Sequence, residues 1–165
     1  MQKLTKKDRE DLPNKIYDIV MNKLGDEIKG IIFDYLEKEK LREEIFIPIS
    51  IFRNILGPLE ALVKYLKENC NLRYHEIAKI LSRDDRTIWI TYRNSLSKYV
   101  ELDTTHKIKV PLSIFHERKF SVLEHLTKYL KEKLGYSNNK IALLLDKNES
   151  TIWTVYNRVK MKNKK

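Results

Sequence analysis

The chain repeats itself, and that repetition limits its fold more than any other feature. The stretch IFIPISIF (Ile45–Phe52) returns as IKVPLSIF (Ile108–Phe115) at an offset of 63. After a one-residue gap, LEALVKYLKE (Leu59–Glu68) returns as LEHLTKYLKE (Leu123–Glu132) at an offset of 64. At that same offset IAKILSRDDRTIWITYRN (Ile77–Asn94) returns as IALLLDKNESTIWTVYNR (Ile141–Arg158). Leu59–Asn94 and Leu123–Arg158 share 15 identities in 36 aligned positions, far above chance. One small fold of about 60 residues is therefore used twice. The chain divides into an N-terminal segment, 1–44, a first repeat, 45–107, and a second repeat, 108–165.

Each repeat reads as three helices, so the expected class is all-α: two tandem trihelical repeats after an N-terminal helical segment. With only four Gly and four Pro in 165 residues, a β-rich or collagen-like chain is disfavoured. Ser121-Val122-Leu123-Glu124 is a capping box with Phe120 placed as a staple. The equivalent Gly57-Pro58-Leu59-Glu60 puts proline at the first helical position, where its missing N–H costs nothing. Leu59, Leu62, Val63 and Leu66 recur at helical spacing, as do Leu123, Leu126 and Leu130. Short polar breaks follow, ENCNL and EKLGY. The second helix carries Ile77, Ala78 and Leu81, matched by Ile141, Ala142 and Leu145. The third carries Ile88, Tyr92 and Leu96, matched by Ile152, Tyr156 and Val159, with both tyrosines expected in the core. The arms PISIF and PLSIF suit either edge strands or extended linkers.

The spacing I-A-x-x-L-x(5)-T-I-W-x-x-Y, present twice, resembles the helix-turn-helix of the sigma-factor region 4 type and, more broadly, the trihelical DNA-binding domains of bacteria and archaea. The resemblance covers roughly residues 58–98 and 122–162. Ala78 and Ala142 stand where the two motif helices approach most closely. Leu81, Leu145, Ile88 and Ile152 fill the wedge between them. Two positions depart from the pattern. The turn position usually filled by Gly is Ser82 or Asp146, and the next, commonly apolar, is Arg83 or Lys147.

In such folds the third helix enters the major groove, and its N-terminal and outward residues read base edges. The resemblance implies that the first copy presents Asp84, Asp85, Arg86, Trp89, Ile90 and Arg93, with Arg83 beside them. The second presents Asn148, Glu149, Ser150, Trp153, Thr154 and Asn157, with Lys147 and Arg158. Arg86 suits guanine, and Asn148 or Asn157 suits adenine. Asp85 and Glu149 can accept from cytosine, yet they also suit a helix N-terminus by themselves. Asp84 is assigned to capping. Because the two sets differ, the repeats are expected to prefer different base sequences. Trp89 and Trp153 adjoin the core Ile and also occupy a position normally turned to the groove, which leaves both readings open. Lys64, Lys67, Lys128 and Lys131 are expected to face solvent. Lys160, Lys162, Lys164 and Lys165 form either a disordered basic arm or an ordinary solvated terminus.

Charge distinguishes the segments. Residues 1–44 carry 10 basic and 11 acidic side chains, residues 45–107 carry 10 and 7, and residues 108–165 carry 13 and 5, within a net +10. A surplus confined to the repeats attracts a polyanion and makes its binding salt-dependent, although it also suits a solubilising lysine surface. The N-terminal segment reads as two helices. One starts near Pro13 with Ile16, Ile19, Val20 and Leu24. The other runs from about Asp26 with Ile28, Ile31, Ile32, Tyr35 and Leu36. A lone hairpin cannot bury such a stripe, so the segment serves a homodimer or a protein partner, or packs on the first repeat.

No apolar run approaches the roughly 18–20 residues that span a bilayer, and the charged N-terminus lacks a signal-peptide core. A cytoplasmic, nucleoid-associated protein is expected. The single Cys70 excludes an internal disulfide framework, and its counterpart Leu134 suggests an apolar filler. The four histidines (His75, His106, His116, His125) lack metal-ligand spacing, and no P-loop, dinucleotide fingerprint or nucleophile elbow occurs. No enzyme, metal or cofactor is expected. Sequence-specific binding of double-stranded DNA for transcriptional regulation is the leading expectation. A protein-interaction adaptor, for example on RNA polymerase, and an architectural nucleoid protein are the alternatives.

Overall fold

A computed structural model describes residues 25, 28–32, 35, 45–53 and 55–164. The chain forms two compact units, Met1–Leu41 and Arg42–Lys165. In the first, residues 28–32 and 35 are helical, and Ile28, Ile31 and Tyr35, spaced by three and four, are exposed. The expected helix near Pro13, Leu36 and the charged end after it lie outside the described residues.

The second unit is predominantly helical and holds both repeats. The first repeat contains strand β1 (Phe46–Pro48), a 3-10 turn (Ile49–Phe52), α1 (Pro58–Glu68), α2 (Tyr74–Ile80) and α3 (Asp85–Leu96). The second contains β2 (Lys109–Pro111), a 3-10 turn (Leu112–Phe115), α4 (Val122–Glu132), α5 (Asn138–Leu145) and α6 (Glu149–Asn163). In each, the third helix packs on the other two. The cores correspond: Leu62, Leu66, Ile77, Leu81 and Ile88 against Leu126, Leu130, Ile141, Leu145 and Ile152, all essentially inaccessible to water.

Helix starts follow the sequence. The Ser121 Oγ accepts from the Glu124 N–H at 3.2 Å, and the Ser121 N–H donates to Glu124 Oε2 at 2.7 Å. Phe120 is buried and meets His125, one turn into α4, edge-on with ring centroids 5.3 Å apart, which completes the staple. In the first repeat glycine offers no side chain to the box, so only the Gly57 N–H donates, to Glu60 Oε2 at 2.8 Å. Lysines just past or late in the third helices reach back to these same carboxylates: Lys98 to Glu60 at 2.6 Å and Lys162 to Glu124 at 2.7 Å.

The turns repeat as well. Asn71 (φ 54°) and Gly135 (φ 66°) are equivalent, as are Ser82 (φ 51°) and Asp146 (φ 52°). Two left-handed positions are thus shared by the repeats among the described residues, although glycine, the residue least penalised there, fills only one of these four; Tyr99 (φ 49°), past the end of α3, has no left-handed counterpart. The Arg83 and Lys147 N–H groups close the same turn on the carbonyls of Ala78 and Ala142, each at 2.9 Å.

Three expectations are corrected. Tyr92 and Tyr156 are half-buried, not core, because their hydroxyls reach out to Glu68 Oε1 at 3.1 Å and Glu132 Oε1 at 3.3 Å. Leu96 is exposed, and the true counterpart of Val159 at offset 64 is the buried Ser95, whose hydroxyl is satisfied by the Tyr92 carbonyl at 2.6 Å. The helix lysines do not simply extend into solvent. Lys64 is buried and paired with Glu68 at 2.8 Å, Lys67 and Lys128 lie over the Tyr74 and Phe120 rings, and Lys131 donates to Asn138 Oδ1 at 2.6 Å. Their apolar stems cover the domain surface while each head finds a local partner.

The arms are strands, and they join the repeats. β1 and β2 pair antiparallel with Ile47 opposite Val110, and proline is tolerated because both strands of a two-stranded sheet are edges. Phe52 and Phe115 meet with ring centroids 6.1 Å apart. The 3-10 turn of the first repeat packs on α5 of the second, and Ser82 of the first repeat bonds His116 of the second at 3.0 Å.

Candidate nucleic-acid interface

Both third helices begin just after a left-handed turn. In the first repeat Asp84 is the cap: its carboxylate accepts from the Thr87 N–H at 2.8 Å and from the Thr87 hydroxyl at 2.6 Å. Those two bonds hold its carboxyl below the usual range, because each favours the charged form. Asp84 thus caps α3. Asn148 is the equivalent N-cap, makes no side-chain cap bond and is exposed.

The outward face of α3 exposes Asp85, Arg86, Trp89, Ile90 and Arg93. Trp89 is 43% exposed, with the Arg93 guanidinium 4.9 Å from its ring centroid. Such a contact stabilises an exposed pair by about 0.5–1 kcal/mol. Asp85 faces His75 of α2 across 3.3 Å, so its carboxylate is partly engaged by its own fold. On α6, Glu149, Ser150, Trp153, Thr154 and Arg158 are exposed and Asn157 is half-buried. Trp153 is 59% exposed. Ser150, Thr154 and Arg158 line a shallow depression of about 230 Å³. Both tryptophans thus lie on the outer face of the helix and not in the core.

Arg83 and Lys147 are half-buried at the turns. Burial, and then the neighbouring charge of Arg118, lower the proton affinity of Arg83. Arg118 belongs to the second repeat, yet it also acts on Asp84. A cation from one repeat therefore stands at the start of the other's third helix. Nothing in the sequence signals this, because the approach is made by crossing arms and not by chain neighbourhood. The basic tail likewise differs from a disordered arm. Residues up to Asn163 continue α6, with Lys160 over the Tyr156 ring and Lys162 bound to Glu124; Lys165 lies outside the described residues.

The histidines are dispersed. His75 faces Asp85, His106 accepts from the Ile108 N–H at 3.0 Å, His116 bonds Ser82, and the His125 Nε2–H donates to the Glu117 carbonyl at 2.7 Å. Among the described residues no three His, Cys, Asp or Glu side chains converge as metal ligands. Cys70 is half-buried and Leu134 is exposed, so the position is not a core filler. Burial, partly offset by a hydrogen bond to Tyr65, pushes the Cys70 thiol up, away from the activated thiolate of a nucleophile.

No family model, no curated protein and no solved structure matches the chain.

Proposed function

We propose that this chain is a sequence-specific double-stranded DNA-binding protein, a transcriptional regulator acting through two tandem helix-turn-helix domains rather than through catalysis. One observation carries the reading. In both copies a left-handed turn leads into a third helix whose outer face exposes tryptophan among polar residues that differ between the copies. A merely structural helix has no use for an exposed tryptophan at the same place twice, whereas a groove-reading helix does. The surplus of basic residues in 45–165 and the arginines at and beside the turn supply phosphate contacts, which position a protein without specifying sequence. Among the described residues no helix is long and apolar enough to cross a membrane, and a nucleoid-associated cytoplasmic site of action fits the proposed ligand.

Selection from random duplexes, followed by anisotropy titrations of the enriched sequences at two salt concentrations, tests this. Arg86→Ala is expected to cost about 1–3 kcal/mol and to relax preference at one position. Tight binding without sequence preference that vanishes with salt would instead identify an architectural protein. No binding at low salt would rule out DNA as the ligand. The second reading, a protein-interaction adaptor, draws on the exposed Ile28, Ile31 and Tyr35 stripe of the N-terminal unit, which suits a homodimer or a protein partner.

A further inference from the structure

We propose that the two repeats form an internal two-fold pair, so that the chain reads two unlike half-sites in inverted orientation on opposite strands, and not a direct repeat. The inference rests on the DNA-binding reading and adds orientation to it.

Two copies joined in tandem can associate head-to-tail or about a two-fold axis, and contacts distinguish the cases. Head-to-tail packing brings unlike surfaces together. A two-fold axis brings each surface against its own equivalent, with every cross-contact made twice. Here equivalents meet. Ile47 pairs with Val110, its own counterpart at offset 63, and the pairing is antiparallel; a translated copy would pair parallel. The bonds flanking the sheet are reciprocal: the Ile49 N–H donates to the Ile108 carbonyl at 3.1 Å, and the Leu112 N–H to the Ile45 carbonyl at 2.9 Å. Position 49 corresponds to 112 and position 45 to 108, so these are one contact seen from both sides.

The same relation holds away from the sheet. Phe52 meets its counterpart Phe115, and α1 meets its counterpart α4. The first arm's 3-10 turn packs on α5, while His116, at the end of the second arm's 3-10 turn, reaches Ser82 at the end of α2. The first arm therefore packs on the other repeat's second helix, and the second arm's reciprocal contact with α2 is slighter, resting on the His116–Ser82 bond beside the turn that leads into α3. An axis that relates the repeats also relates α3 to α6. The strand direction read by one helix is then the reverse of that read by the other.

Unlike half-sites conceal their orientation in a selected sequence, so the test makes them alike. The full chain would carry Asn148→Asp, Glu149→Asp, Ser150→Arg, Thr154→Ile and Asn157→Arg, which gives α6 the residues of α3 at these five outward positions. Duplex selection with this variant is expected to yield a palindrome, and reversing one half-site should weaken binding by more than about tenfold. A direct repeat would overturn the two-fold inference while leaving DNA binding intact. Enrichment of lone half-sites without fixed spacing would also overturn it, since the helices would then engage separate duplexes. Failure of the unmodified chain, run in parallel, to enrich any sequence would remove the DNA reading and this inference with it. All five positions are exposed or half-buried. Should the variant still fail to fold by circular dichroism, the reverse set on α3 (Asp84→Asn, Asp85→Glu, Arg86→Ser, Ile90→Thr, Arg93→Asn) asks the same question.

Discussion

The first and second repeats solve one packing problem with partly different side chains, and some of the differences lie in the buried interior. Where the first has the buried Val63, the second has Thr127, whose hydroxyl is buried without a hydrogen-bond partner. Where the first has Ala61, the second has His125, enclosed by Phe115 and Phe120 and bonded to the Glu117 carbonyl. In the second repeat the cap carboxylate, Glu124, is nearly inaccessible. Burial opposes its charge, but Lys162 and the Ser121 N–H outweigh that and hold its carboxyl below the usual range. The lesson is that duplication preserved the backbone demands (two left-handed turns, one cap carboxylate, one returning lysine) and left the interior chemistry to diverge.

If the repeats are halves of one unit, disrupting the sheet they share has the largest effect. Ile47→Ala removes a fully buried side chain from the shared sheet and should cost about 2–5 kcal/mol. Hydrogen exchange should show amides of both α3 and α6 losing protection together. Loss confined to α3 would mean that the repeats fold independently.

Exchanging the interior residues sharpens the contrast. Thr127→Val should raise stability by about 1–2 kcal/mol in urea denaturation, because it removes an unsatisfied buried hydroxyl. Val63→Thr should lower it by about 1–3 kcal/mol. Equal and small effects in both directions would mean that the two interiors are equivalent after all.

The turns differ less. Asp146→Gly should stabilise by about 0.5–1 kcal/mol, relief of the left-handed conformation exceeding the entropy of a new glycine. Ser82→Gly should gain less, since Ser82 also bonds His116. Thermal denaturation of the two variants side by side would show the order.

The smallest effect is a pH slope that belongs to the second repeat. Burial lowers the proton affinity of His125 below the usual 6.5, and the Glu117 carbonyl offsets this only in part. An unfolded chain therefore takes up this proton at higher pH than the folded chain does. The associated stability is present above about pH 6.5 and is lost as pH falls through the lowered folded value. Restoring the first repeat's residue with His125→Ala should flatten stability between pH 7 and 5.5, even if the variant is less stable throughout. An unchanged slope would assign it to another group.

Much of each repeat was legible because its signals are local. The capping box at Ser121, proline at the start of α1, the spacing of Leu62 and Leu66, and the Asp84 cap depend on residues within a turn or two. At Ser82 and Asp146 the left-handed conformation is legible only as a departure from a glycine pattern. The tyrosines were misplaced because an apolar ring at core spacing hides a hydroxyl that must find a partner, and the partners, Glu68 and Glu132, sit 24 residues away. The core position at Ser95 was missed because a serine gives no hydrophobic signal. Arg118 carries no local signal of its role, because its neighbours Arg83 and Asp84 belong to the other repeat.

From the sequence alone came the duplication, the helical class of the repeats, and the two unlike sets of outward side chains. All of these are written in periodicity and in pairs of residues close along the chain. Only the tertiary structure decided that the arms are paired strands, that the repeats share one unit, and that equivalent surfaces face each other. Those outcomes rest on apolar side chains that meet only in the folded chain, with Ile47, Val110, Phe52 and Phe115 at the junction. The segments involved lie some 63 residues apart, where no local pattern can encode the choice.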